Sequence, residues 1–180
     1  MLLYSENVYL RPFELHDAGK VRELAGEYAI AKTTLSIPNP YPEGVAEEFI
    51  RDSHEGSARK NRYMFAIVHN LDDELLGTIS LNVTTEHKRG EIGYWMGKAY
   101  WGHGYTTEAA RRLLKFGFEE LDLNRVYAFA FSTNPASSRV MQKIGMTYAG
   151  TLIQHVFKWD QYQDLVAYGI LKSAYQELTK

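Results

Sequence analysis

The chain has 180 residues, no cysteine, and 20 Lys plus Arg against 22 Asp plus Glu, for a net charge of −2. Apolar residues make up 45% and aromatics 13%, enough for one core, which excludes a disordered chain. The near-balanced charge excludes a protein held to nucleic acid mainly by phosphate contacts, and the missing cysteines exclude a disulfide framework, a thiolate nucleophile and a zinc–thiolate site.

The length suits a single domain over 1–180. No long apolar run and no basic-then-apolar leader occurs, so neither a membrane span nor export is expected. The expected setting is cytoplasmic, with no nucleic-acid and no membrane partner.

In chain order, Val8 to Arg11 reads as a short strand stopped by Pro12. His16-Asp17 opens a helix to about Ala29, with Val21, Leu24, Ala25 and Tyr28 at helical spacing. Pro38, Pro40 and Pro42 mark a stiff irregular loop. A second helix runs from about Gly44 to Arg59, with Val45, Phe49 and His54 on its inner side.

Strands follow at Tyr63–Val68, Leu75–Leu81 and Glu91–Met96. Period-two counting sets Leu75, Ile79, Leu81 and Val83 on one face. A long helix spans about Tyr105 to Leu121, with Ala110, Leu113, Leu114, Gly117 and Leu121 inward and a Glu108–Arg112 pair outside. An aromatic strand, Asn124–Ser132, leads into a helix from Pro135 to Ile144. Asn134 stands at its N-cap, Pro135 at the first turn and Gly145 just past its end. Strands at about Met146–Phe157 and Asp164–Leu171 precede a short tail helix. The order implies an α+β fold, with helices packed on a mixed, mostly antiparallel sheet.

The segment from Glu91 to Ala109 carries the strongest functional signal: a strand, a turn, the glycines Gly102 and Gly104, then a helix. Glycines admit close backbone approach, and helix N-terminal amides suit a phosphate or pyrophosphate. A plain turn before an ordinary helix explains the same glycines. A P-loop is excluded by the missing Gly-Lys-Ser/Thr. A dinucleotide fingerprint is disfavoured by Thr107 at the third glycine position.

The sequence resembles the GNAT superfamily of acetyl-CoA-dependent N-acetyltransferases, in particular its RimJ/RimL-like group. The resemblance rests on Leu10-Arg11-Pro12 with Asp17, Gly77–Leu81, Glu91–Trp95, Trp101–Ala109, Leu123–Val126, Asn134–Gly145 and Gln163–Val166. It covers nearly the whole chain in the family's order. It implies a GNAT-like central sheet of about six to seven strands flanked by helices. The parallel strands Glu91–Met96 and Asn124–Ser132 would splay apart to take acetyl-pantetheine between them. It implies that the amides of His103, Gly104, Tyr105, Thr106 and Thr107 hold the pyrophosphate. It further implies that the Trp95–Gly97 backbone pairs with pantetheine and that Asn134 contacts the same arm. Trp101 and Thr106 depart from the family pattern Gln/Arg-x-x-Gly-x-Gly/Ala.

Amide formation needs a free amine, a polarised thioester carbonyl and a protonated leaving thiolate. Glu91 matches the general base of histone-acetyltransferase members; a strand-edge carboxylate paired with Lys88 or Arg89 is the alternative. The tyrosine that protonates the thiolate in many members is replaced by Met141, and the RimJ/RimL-like arrangement points instead to Ser137, with Ser138 next in line. The backbone N–H near Met96 would polarise the carbonyl. His103 and His87 read as solvent-facing loop residues. No metal site is expected, because no histidine pair has i,i+4 spacing.

The expected co-substrate is acetyl-CoA, and the expected acceptor is a protein N-terminal α-amine or a small amine. The acceptor would lie near the loop Ile37–Tyr41, where Glu43, Glu47 and Glu48 stand ready either to attract a cation or merely to face solvent. A non-catalytic acyl-CoA-sensing domain on the same fold is the alternative function. Homodimerisation is expected through aromatics near Phe157, Trp159 and Tyr162, unless these pack on the protein's own sheet.

Overall fold

A computed structural model describes every residue from Met1 to Lys180. Eight strands form one sheet: β1 (Leu3–Tyr4), β2 (Val8–Arg11), β3 (Arg62–His69), β4 (Leu75–Thr84), β5 (Arg89–Met96), β6 (Arg125–Phe131), β7 (Thr147–Lys158) and β8 (Gln161–Leu171). Their spatial order is β1-β2-β3-β4-β5-β6-β8-β7. Every neighbouring pair is antiparallel except β5 and β6. The sheet exceeds the expected six to seven strands because β1 has two residues, too few for a periodic signal.

Six helices cover the two faces: α1 (Ala18–Ala25), α2 (Tyr28–Thr33), α3 (Val45–Ala58), α4 (Tyr105–Lys115), α5 (Pro135–Lys143) and α6 (Lys172–Leu178). One core lies between the sheet and α4, α5 and α6, with Ile67, Ile79, Leu81, Ile92, Leu113 and Phe118 in it. The other lies under α1 and α3, with Phe13, Val21, Leu24, Ile50, Met64 and Val68.

Arg11 and Asp17 fasten β2 to the turn before α1. The guanidinium donates to both Asp17 oxygens at 2.7 and 2.8 Å, and the Glu14 N–H donates to the same carboxylate at 2.8 Å. Asp17 is 4% exposed, so the pair is held where water competes little. The guanidinium and the N–H outweigh burial and hold the carboxyl below its ordinary range.

Several local expectations need correction. The first helix does not run to Ala29. Gly26 closes α1 by donating to the Arg22 carbonyl, and a Cβ there would lie 2.7 Å from that oxygen; α2 then restarts at Tyr28. In α3 the buried positions are Ala46, Ile50 and Ser53, while His54 is exposed and contacts the Phe13 carbonyl at 2.7 Å. Leu75 does not share a face with Ile79 and Leu81. Ile67 pairs with Gly77 but Val68 with Leu75, so Leu76 is an extra residue. That bulge turns Leu75 to the α1 side and Leu76 to the α4 side. The long helix ends its α-form at Lys115 and continues as a π-turn over Phe116–Glu120. Glu108 does not pair with Arg112; it accepts from the Asn7 and Val8 amides and binds the β1–β2 turn.

The α5 boundaries are as expected. Asn134 Oδ1 accepts from the Ser137 N–H at 3.4 Å, Pro135 begins the helix and Gly145 has φ +88°. The β7–β8 hairpin tip reaches the N-terminal helices, where Trp159 stacks on Tyr28 at 5.5 Å. Phe157 and Tyr162 stay exposed and touch each other. No helix is long and apolar enough to cross a membrane.

Candidate active site

The site follows from where β5 and β6 stop pairing. Their register covers only Arg89 with Arg125, Gly90 with Val126 and Glu91 with Tyr127. Beyond Glu91, β5 stays paired with β4 and β6 with β8. The two strands therefore part like a V with Glu91 at its base. A cleft of about 840 Å³ fills this V and continues onto the α2–α3 side.

Strand alternation gives the walls two characters. Ile92, Tyr94 and Met96 pack toward the α4 core, whereas Trp95 packs toward the α1 core. Period two puts Glu91 on the Trp95 side, facing α2 and α3. Its carboxyl is half-buried, and burial pushes its pKa up, partly offset by the Tyr127 hydroxyl. Neither Lys88 nor Arg89 forms an ion pair with it; Lys88 binds Asp122 at 2.7 Å.

At the mouth, Gly104 caps α4 with φ +84°, and Gly102 has φ +81°. Both favour glycine, since a side chain there would be strained. The first α4 amides, at Tyr105, Thr106 and Thr107, precede the first intrahelical bond, from Glu108 N to Gly104 O. Gly102, Gly104, Tyr105, Thr106 and Thr107 all line the cleft. Exposed Arg139 and Lys143 of α5 line it too, adding positive charge that suits an anionic ligand.

Trp95 and Met96 line the cleft, but Gly97 and His103 do not. The Gly97 N–H donates to the Leu76 carbonyl at 2.9 Å, and its own carbonyl accepts from Tyr100 N at 3.0 Å. Gly97 is thus bound within the protein. Alternation turns the Met96 N–H the opposite way, toward the gap between β5 and β6. The Met96 carbonyl accepts from the Trp101 indole at 2.7 Å, which gives Trp101 a structural task. His103 is exposed and stacks on Tyr105 at 5.5 Å.

Ser137 and Asn134 line the cleft, while Ser138 does not. Met141 is fully buried in the core. What the sequence reading missed is Tyr94. Its hydroxyl shares a hydrogen bond of 2.8 Å with Ser137 Oγ and lies 3.2 Å from the Ser137 carbonyl. Burial pushes the Tyr94 pKa up to about 12, so it is a neutral donor at ordinary pH. Counting alternate positions from Glu91 would have set Tyr94 toward the helices, on the side of Ser137. No group of His, Asp and Glu is arranged to hold a metal ion.

A cleft with an apolar interior, free helix amides at its mouth and a raised carboxyl at its base suits acyl transfer from a phosphate-bearing carrier. The family model for the acetyltransferase (GNAT) domain matches residues 7–147. The chain belongs to this family and is an N-acetyltransferase by descent. YdaF of Bacillus subtilis (strain 168), by name a candidate ribosomal N-acetyltransferase, is 31% identical over 176 residues, covering 96% of this chain and 95% of the relative. Spermidine N(1)-acetyltransferase of Escherichia coli (strain K12) is 25% identical over 172 residues, covering 95% and 89%. The structure of RimL, a ribosomal L7/L12 α-N-protein acetyltransferase in complex with coenzyme A, superposes with TM-score 0.89 over 97% of this chain and 99% of that one. At 18% identity the last likeness concerns the fold. The RimJ/RimL-like assignment made from the motifs agrees with these relatives.

Proposed function

We propose that the protein moves an acetyl group from acetyl-CoA directly to a primary amine while both are bound. The observation that carries this is the V between β5 and β6, with Glu91 at its base and the Tyr94–Ser137 hydroxyl pair across it. Acetyl-CoA supplies the thioester carbonyl and leaves as CoA. The free amides of Tyr105, Thr106 and Thr107 hold its pyrophosphate, helped by Gly102 and Gly104, which let the backbone come close. Arg139 and Lys143 add charge at the same end.

The Met96 N–H polarises the carbonyl as charge develops on its oxygen. Glu91 takes the proton of the acceptor ammonium, directly or through water, and its burial makes it a stronger base than an exposed carboxylate. The amine nitrogen then forms its bond to the acetyl carbon as the carbon–sulfur bond breaks. The second proton it sheds on becoming an amide passes through water to the Tyr94–Ser137 pair, replacing the one that pair gives to sulfur. Ser137 gives a proton to the leaving sulfur, and Tyr94 orients and resupplies Ser137. Without a cysteine no acetyl-thioester on the protein forms, so direct transfer is the simplest route.

A thiol-release assay with acetyl-CoA and a panel of amines tests this reading. The expected result is CoA release that depends on the amine, with an acetylated product by mass. Acetyl-CoA binding without amine-dependent release would instead assign the fold to acyl-CoA sensing.

A further inference from the structure

The charge inventory of the cleft bears on what the acceptor is, and the inference drawn from it rests on the acetyl-transfer reading above. Glu91 is the only carboxylate that lines the cavity. Glu43, Glu47 and Glu48, the acids that a cationic acceptor would have met, do not line it. Glu43 and Glu48 are exposed to solvent, and Glu47, half-buried near Tyr41, does not reach the cavity surface. The acceptor side is instead built from Ile37, Tyr41, Val45, Phe49, Met64 and Trp95. Val45 and Phe49 are half-buried; Phe49 packs edge-on against Phe13 of the α1–α3 core, and both residues present their remaining apolar surface to the cleft.

A fixed positive charge stands on the same wall. Arg62 on β3 pairs with Asn82 on β4, which pairs with Glu91 on β5, so all three share one face of the sheet. Two strand spacings separate Arg62 from Glu91, roughly 10 Å. Arg62 forms no ion pair, its Nε is buried with no hydrogen-bond partner, and it lines the cleft. An amine at Glu91 that carried a second ammonium several bonds away would bring it toward Arg62 or onto apolar wall. Both are unfavourable for a cation.

We infer that the acceptor is a primary amine with one positive charge, carried on an apolar or aromatic body, and that polyamines are rejected. Glu91 recognises the ammonium, the wall from Ile37 to Trp95 takes the apolar body, and Arg62 repels a second charge. A free arylalkylamine and a peptide whose N-terminal residues are apolar share this chemistry.

The test is calorimetric binding to the protein saturated with CoA, using 2-phenylethylamine, an apolar N-terminal peptide, spermidine and spermine. Binding is read independently of turnover, so failure of acetyl transfer leaves this result standing. The expected outcome is that 2-phenylethylamine or the peptide binds about tenfold or more tightly than spermidine. The order of those two assigns the source as a small amine or a protein N-terminus. In Arg62→Glu the gap to spermidine narrows several-fold. Spermidine or spermine binding as tightly as the monoamines, or no binding of either monoamine class, overturns the inference.

Discussion

The Tyr94 hydroxyl lies 2.8 Å from Ser137 Oγ and 3.2 Å from the Ser137 carbonyl, tying β5 to the first turn of α5 across the mouth of the β5–β6 V. Ser137 reaches this point from the first turn of α5, and Tyr94 from the strand that also carries Glu91. If the pair protonates the leaving thiolate, Ser137→Ala lowers kcat by about ten- to hundredfold. Its acetyl-CoA dissociation constant stays within about threefold of wild type, because the helix amides are untouched. Tyr94→Phe, which acts only through Ser137, gives a smaller fall in kcat. Equal kcat in all three proteins would remove the pair from the mechanism.

Glu91 sets the expected pH dependence. Burial raises its folded pKa, and it serves as a base only when ionised. The rate therefore falls as pH drops through that raised value. In Glu91→Gln the acid limb set by the carboxyl gives way to one that follows the acceptor amine's own pKa, and the rate near neutrality falls by about a hundredfold or more. A pH–rate series on both proteins checks this; an unchanged acid limb in the variant assigns the base elsewhere.

Lys158 at the tip of β7 fastens the wall of the cleft that follows α2, the side proposed for the acceptor. Its ammonium donates to the carbonyls of Ala31, Thr34 and Ile37, the last at 3.1 Å. The segment it holds, from Thr33 to Pro38, lines the cleft. Lys158→Met frees that segment. The acceptor KM is expected to rise about tenfold while the acetyl-CoA KM barely changes, as fits a residue that orders the acceptor wall alone. Steady-state kinetics with each substrate varied in turn separates the two; a rise confined to the acetyl-CoA KM contradicts it.

The Arg11–Asp17 pair is a stability device remote from the chemistry. Asp17→Ala leaves the half-buried Arg11 guanidinium without its carboxylate partner and costs about 2 to 3 kcal/mol. Asp17 has a folded pKa below its ordinary value of 3.8, so its contribution is present above that value and is lost as pH falls through the folded pKa. Urea unfolding of wild type and Asp17→Ala at falling pH checks the sign. The gap between the two is wide near neutrality and closes under strongly acid conditions.

Local signals make much of this legible in the sequence. Asn134, Pro135 and Gly145 bracket α5 because capping is a property of a few adjacent residues. The glycines before α4 are legible for the same reason, each holding a positive φ. Glu91 emerges on the α2–α3 side because period two holds along β5. What stayed hidden depends on partners far apart in sequence. The bulge at Leu76 is set by pairing with β3, and it reverses Leu75 against simple alternation. Val45 and Phe49 have the spacing of a core stripe, yet α3 turns Ala46 and Ile50 fully inward, leaves Val45 to the cleft and shares Phe49 between the cleft and Phe13. Tyr94 and Ser137 are 43 positions apart, and Lys158 meets Ala31 across 127. No local pattern announces such meetings.

The central claim, direct transfer in a ternary complex, is tested most directly by intact-protein mass measurement combined with product counting. The protein is mixed with acetyl-CoA alone and then with an acceptor amine. The account predicts no covalent acetyl on the protein at any stage, and one acetylated amine for each CoA released. A protein-bound acetyl group that forms before the amine is added and passes to it afterwards would contradict the account.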